Sequence, residues 1–309
     1  MATRRGVLAG LIRVATWASI AVAWPVPVRA RQRPLRSDEV FRGGAELVPT
    51  AVTVRDAEGR LVTTLEQDDF SVSESGRVQP ITQFARDRVP VSLALVLDIS
   101  DSMRGPRMDD ARAALLQFVD DLLDVEDEAA FLVFNHETRL LVGWTLDRAP
   151  LREALDGVRP TGGTAIYDAI NHVLPMFADR RHPRGAIVLV SDGADTASDT
   201  AVVDLKQQLG RSDVFLYGIA VDSPNVRSAA RINPQVFREL SAQSGGYAEI
   251  VSSTKEIAPA AARIAEELNA QYMLGYTPTT PGDGRYRSIR VTVGDGEGYT
   301  VRARRGVVR

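Results

Sequence analysis

Val91-Ser92-Leu93-Ala94-Leu95-Val96-Leu97-Asp98-Ile99-Ser100-Asp101-Ser102 decides how this chain is read. Residues 91–97 form a nearly unbroken apolar run of strand length, the pattern of a strand covered on both faces. The run stops at an acid, and Asp98, Ser100 and Ser102 then follow at every second position. A second run, Ala186-Ile187-Val188-Leu189-Val190, ends in the same manner in Ser191-Asp192-Gly193. A third polar loop, Thr161-Gly162-Gly163-Thr164, stands before a predicted helix.

Outward from Asp98 the period changes to that of a helix. Ala111, Leu115, Phe118, Val119 and Leu122 form one stripe over 108–123. Strands are expected at 129–134, 139–144, 186–190, 214–221 and 247–251. Helices are expected at about 148–158, 166–177, 200–210, 235–243 and 255–269. Alternating strands and helices with two-sided apolar strands specify an α/β fold, an open, mainly parallel sheet flanked by helices.

The regions on either side read as β structure. Residues 46–48, 51–54, 61–64, 70–72 and 81–84 alternate in class and are punctuated by Asp/Gly turns. After Gln271 the strand pattern returns at 272–276, 288–293 and 299–303. Neither flank has enough strands to bury a core alone, so the two are expected to pair into one small accessory β domain. The boundaries are 31–88 for the N-terminal β flank, 89–270 for the α/β domain, and 271–309 for the C-terminal β flank, pairing with 45–88.

Residues 1–30 have the layout of a signal peptide. Arg4 and Arg5 precede an apolar stretch from Val14 to Trp24, and Val28-Arg29-Ala30 offers small residues for cleavage. The stretch is too short to span a bilayer. Thr3-Arg4-Arg5-Gly6-Val7-Leu8 also resembles a twin-arginine signal, so the Sec or Tat route stays open. The expectation is an exported protein, periplasmic or secreted. Removing 1–30 takes away four Arg and no acid, which leaves 33 basic against 40 acidic residues and a net charge of −7. That balance argues against nucleic acid or an anionic membrane as the main partner. No later apolar run reaches the length of a membrane span. Cysteine is absent, which excludes disulfides, thiolate metal sites and Cys nucleophiles.

In open parallel sheets, functional groups gather beyond the carboxyl ends of the strands. Along an extended segment, oxygens at positions i, i+2 and i+4 can converge on one point. A hard cation such as Mg²⁺ takes six oxygen ligands, keeps some water and uses few carboxylates. Ser100, Ser102 and Thr164 offer neutral oxygens, and Asp98 and Asp192 offer charge. Taken alone, Asp-x-Ser-x-Ser is better read as a helix-capping loop. The two further loops at matching strand ends shift the balance towards a metal site. Asp101, Asp195 and Asp199 read as solvated or capping residues. His136, His172 and His182 show no metal spacing. Arg302–Arg305 reads as a solvated strand end, and Trp144 as core or edge packing.

This order of Asp-x-Ser-x-Ser, Gly-Gly-Thr and Ser-Asp-Gly resembles the metal-ion-dependent adhesion site (MIDAS) of von Willebrand factor type A (VWA) domains, which have a Rossmann-like fold. The resemblance implies Asp98, Ser100, Ser102, Thr164 and Asp192 as the metal shell, some through water. Thr161 is a rival for the Thr164 role, and Thr164 is preferred because it directly follows the two glycines. The implied ion is Mg²⁺, or Mn²⁺ or Ca²⁺, and the implied partner is a protein supplying an Asp or Glu carboxylate. The flanks, with Val52-x-Val54-x-Asp56-x-x-Gly59 and Gln271-Tyr272-x-Leu274-Gly275-Tyr276, are similar to a group of exported bacterial VWFA-related proteins. The resulting expectation is a non-catalytic adhesion, scaffold or assembly protein. Two alternatives stand beside it: a metal-dependent hydrolase, or a purely structural ion with binding through the β domain. A phosphatase using Asp98 as nucleophile normally has a second carboxylate two residues later, and position 100 is Ser. No Gly-x-Ser-x-Gly elbow or phosphate loop is present. The sequence does not specify an oligomeric state.

Overall fold

The structure is a computed structural model that describes residues 47–221 and 233–309. The expected signal peptide lies outside the described residues. The central sheet has six strands: β5 (Val91–Asp98), β6 (Glu128–Phe134), β7 (Thr138–Thr145), β8 (Arg184–Ser191), β9 (Val214–Val221) and β10 (Ala248–Val251). Their order is β10-β9-β8-β5-β6-β7, with every neighbouring pair parallel except β6 and β7. Every residue of β5, β6, β8 and β9 is buried, so these four strands show no polar-out alternation.

Successive residues of β5 enter two different cores. Leu93, Leu95 and Leu97 pack with Leu115, Leu151 and Ile264, which belong to α1 (Pro106–Gln117), α2 (Ala149–Gly157) and α6 (Ile257–Asn269). Ala94 and Val96 join Ile170, Leu205 and Leu240 of α3 (Ile166–Val173), α4 (Val202–Arg211) and α5 (Pro234–Ser244). A strand buried along its whole length is thus explained by two helical layers, one on each face. The helix boundaries move for local reasons. Pro106 occupies the first turn of α1, a place its missing N–H suits. Pro175 sits in the 3₁₀ turn Leu174–Asp179 that succeeds α3.

Strands from before and after this unit pair with one another. β1 (Val48–Arg55), β4 (Ile81–Ala85), β11 (Tyr272–Tyr276) and β13 (Thr300–Ala303) form a sheet ordered β13-β1-β11-β4. β2 (Phe70–Glu74), β3 (Arg77–Gln79), β12 (Tyr286–Val293) and β14 (Gly306–Val308) form another, ordered β14-β12-β2-β3. The two share a core of Val52, Val54, Val72, Leu274, Tyr276 and Val291, among others. Pro49 lies within β1 beyond its pairing with β13, which begins at Val52, so no ladder hydrogen bond to β13 is lost there.

Several sequence expectations are corrected in these flanks. Leu61–Thr64 is not a strand. Leu61 makes a lone bridge with Arg55, and the following segment is strapped by the Tyr272 hydroxyl, which donates to the Val62 carbonyl (2.9 Å) and accepts from Leu65 N (3.0 Å). The three-residue strands β3 and β14 were not expected. β2 and β3 are joined through Ser75 and Gly76, both at positive φ (47° and 80°), as a two-residue hairpin turn needs. Arg302 and Arg304 are not a solvated strand end. Arg304 is buried and donates to the Gly306 carbonyl (2.8 Å), while Arg302 lies over the Tyr247 ring and pairs with Glu267. Glu267, in α6, is fully buried and also receives Thr53, Arg55 and Tyr217, which ties α6 to β1, β13 and β9.

Candidate metal centre at the carboxyl end of the sheet

The loops after β5, after β8 and before α3 meet at the carboxyl end of the central sheet, and their backbones hold one another. Ile99 N donates to the Phe134 carbonyl (2.7 Å) and Thr161 N to the Ile99 carbonyl (2.6 Å). Asp101 N donates to the Gly162 carbonyl (2.9 Å), and Thr196 N to that of Thr164 (2.8 Å). The Asn135 side chain adds a bond to the Thr161 carbonyl (2.7 Å). Backbone polar groups that leave the ladder are satisfied by neighbouring loops, which fixes where each side chain projects.

Within this frame, four of the expected side chains form a hydrogen-bonded chain. Asp98 Oδ1 accepts Ser100 N (2.7 Å), and Asp98 Oδ2 accepts Ser191 Oγ (2.5 Å). The hydroxyls of Ser100 and Ser102 lie 3.0 Å apart, and Ser102 Oγ donates to Asp192 Oδ1 (2.6 Å). Thr164 approaches from the third loop. A Cβ built on Gly193 would fall 3.4 Å from Thr164 Oγ1 and 3.6 Å from Ser102 Oγ, so the missing side chain at 193 leaves space between these two hydroxyls. Thr161 is exposed and contributes its backbone to the loop bonds described above, whereas Thr164 is buried.

The helix-capping reading of Asp-x-Ser-x-Ser does not describe this geometry. Ser100 precedes the short 3₁₀ turn Asp101–Met103, but its side chain makes no capping bond and faces Ser102 instead. Asp195 does cap, accepting Tyr167 N (3.0 Å) at the start of α3 and Ser198 Oγ (2.6 Å). Asp101 is exposed and pairs with Arg104.

Asp98 has no ion pair with any described residue. Burial pushes its carboxyl up to about 7, against the opposing hydrogen bonds from Ser100 and Ser191 and with a further upward push from the charge of Asp192. Asp192 has a cation of its own. Arg107 Nη1 lies 2.8 Å from Asp192 Oδ2 and 2.9 Å from the Ser102 carbonyl. Sequence reasoning missed Arg107 and the structural part of Ser191. Ser191 was visible as the polar residue ending an apolar strand, but Arg107, in the first turn of a helix, gave no spacing signal.

The donor set is suited to a hard divalent cation. It offers three hydroxyls and two carboxylates with no soft ligand, and includes one buried carboxylate lacking a counter-charge. Among the described residues no three His, Cys, Asp or Glu side chains gather as a metal-binding group, so a site here depends on hydroxyls as much as on acids.

Residues 93–194, from within β5 to just beyond β8, match the family model of the von Willebrand factor type A domain. The chain carries a VWA domain, and its mainly parallel sheet flanked by helices is that fold. The inter-alpha-trypsin inhibitor heavy chain H2 of Sus scrofa is 27% identical over 153 residues, which is 44% of this chain and 16% of that relative's length. A von Willebrand factor type A structure from Catenulispora acidiphila aligns with a TM-score of 0.53 and 13% identity, covering 87% of this chain and 75% of that one. The PilB minor pilin from Streptococcus sanguinis aligns with a TM-score of 0.50 and 14% identity, covering 63% of this chain and 64% of its own.

Proposed function

We propose that this protein is an exported, non-catalytic binding module whose VWA domain holds a divalent cation through Asp98, Ser100, Ser102, Thr164 and Asp192. The observation that carries the reading is the meeting of three separate loops at Ser102 Oγ, which touches Ser100 Oγ and Asp192 Oδ1 and borders the same space as Thr164 Oγ1. When bound, the ion supplies a concentrated positive charge with a coordination position left for an outside oxygen. The side chains of this protein then do the rest. Ser100, Ser102 and Thr164 present neutral oxygens, Asp98 and Asp192 supply negative charge, and burial keeps competing water from the rear of the site. Five side-chain oxygens, only two of them charged, leave at least one of about six coordination positions to an outside oxygen. An Asp or Glu of a protein partner is the group that fits. Mg²⁺ is the favoured ion, with Mn²⁺ or Ca²⁺ able to take its place.

Residues 31–88 and 271–309 are taken as an accessory β unit of the same module. The setting we favour is adhesion or assembly in the cell envelope, a reading supported by the use of this fold in a minor pilin. The test is capture from an envelope fraction by the immobilised protein in Mg²⁺, in chelator, and with Asp98→Asn. We expect a partner retained in Mg²⁺ and lost in the other two conditions, with the variant still folded by circular dichroism. Equal capture in all three would refute a metal-borne contact.

A further inference from the structure

Arg107 occupies a position that needs explanation. It lies in the first turn of α1, a helix of 12 residues, where the helix dipole disfavours a cation. It is nonetheless directed to Asp192, with Nη1 2.8 Å from Oδ2 and 2.9 Å from the Ser102 carbonyl. The Asp192 side chain is 1% exposed and that of Arg107 27%, so the pair is screened on one side and open to solvent on the other. Both oxygens of Asp192 are therefore engaged, Oδ1 by Ser102 Oγ and Oδ2 by a full positive charge.

Building on the metal reading above, we propose that Arg107 is a resident counter-cation of the site, which a divalent ion must displace from Asp192 in order to bind. A guanidinium and a divalent cation sharing one carboxylate repel each other, and in a poorly solvated site the repulsion is large. The guanidinium can leave, because its exposed side allows it to swing into water while its stem stays on α1. Arg107 therefore keeps the metal-free loops paired and sets the metal affinity below what five oxygen ligands would give. Loading the ion and releasing an arginine at the rim become one event.

The test is titration calorimetry with MgCl₂ on the wild-type protein, Arg107→Gln and Arg107→Lys, each checked for folding by its melting curve. Arg107→Gln is expected to bind Mg²⁺ at least about tenfold more tightly, equivalent to about 1.4 kcal/mol. Arg107→Lys keeps a positive charge at the rim and should bind Mg²⁺ less tightly than Arg107→Gln. A measurement on the unaltered protein accompanies it: modification of Arg107 by phenylglyoxal, mapped by mass spectrometry, should speed up when Mg²⁺ is added. Wild-type uptake with equal or weaker binding by a folded Arg107→Gln, or with unchanged Arg107 reactivity, overturns this inference and leaves the metal site standing. No Mg²⁺ uptake by any of the three proteins overturns both.

Discussion

Replacing Glu267 by Gln tests how the C-terminal helix of the VWA unit is held to the flanking strands. The carboxylate is fully buried. Its Oε1 accepts Thr53 Oγ1 (3.2 Å) and Tyr217 Oη (3.3 Å), and its Oε2 accepts Arg55 Nη2 (3.0 Å) and Arg302 Nη2. A Gln amide can keep its oxygen on the guanidinium side, but its NH₂ then faces two hydroxyls that already accept from Gln271 Nε2 (3.2 and 3.0 Å). What is lost is the charge facing two cations, together with the acceptor of two buried hydroxyl protons. Breaking a buried ion pair from one side costs about 3–5 kcal/mol. Here Arg55 and Arg302 are 28% and 24% exposed, so each recovers some hydration, and the expected loss sits near the lower limit, about 3 kcal/mol. In a chain of this size that corresponds to a fall in Tm of about 5 °C. Urea unfolding followed by circular dichroism reads it directly. The double variant with Arg302→Gln should lose less than the sum of the single losses. A Glu267→Gln protein within about 1 kcal/mol of wild type would show that the cluster is not what binds these elements.

Further outcomes follow from the same structure. Gly246→Ala places a Cβ 2.1 Å from the backbone carbonyl oxygen of Leu216. It should destabilise by about 2–4 kcal/mol in urea unfolding, while Gly157→Ala, with nothing within 4 Å, should stay within about 1 kcal/mol. Burial pushes the Glu74 carboxyl up, but bonds from Arg309 and Tyr276 outweigh it and hold it below its ordinary value. A carboxylate depressed on folding contributes stability that is present above its unfolded pKa and lost as pH falls through the folded one. Glu74→Gln should accordingly flatten part of the acid limb of a stability–pH profile, and an unchanged limb would refute that assignment.

The parts of this fold that could be read in advance carry local signals. The apolar runs of β5, β8 and β9 announced a sheet covered on both faces because every residue in them is buried. The acids and hydroxyls that end β5 and β8 were legible because a polar group at the end of such a run has no place in a core. β3 and β14 were not, since three residues are too few to establish a period. The strap over Tyr272 was mistaken for a strand because Leu61-Val62-Thr63-Thr64 has strand composition, while its anchoring hydroxyl lies 210 positions away. The same distance hides the Glu267 cluster, where Thr53 and Glu267 are 214 positions apart, while Arg302, half-buried on Glu267, and the buried Arg304 read as a solvated run because arginine is ordinarily exposed. Arg107 was missed because an arginine in the first turn of a helix is ordinary until its partner on another loop is known.

Anomalous diffraction from crystals soaked in MnCl₂ tests the metal site most directly. The account predicts a single strong peak between the loops, with the hydroxyl oxygens of Ser100 and Ser102 at roughly 2.0–2.3 Å, near the spacing of small hard cations. It also predicts a peak greatly weakened in Asp98→Asn crystals. Manganese found only on exposed carboxylates, with Arg107 still on Asp192 at saturating metal, would contradict it.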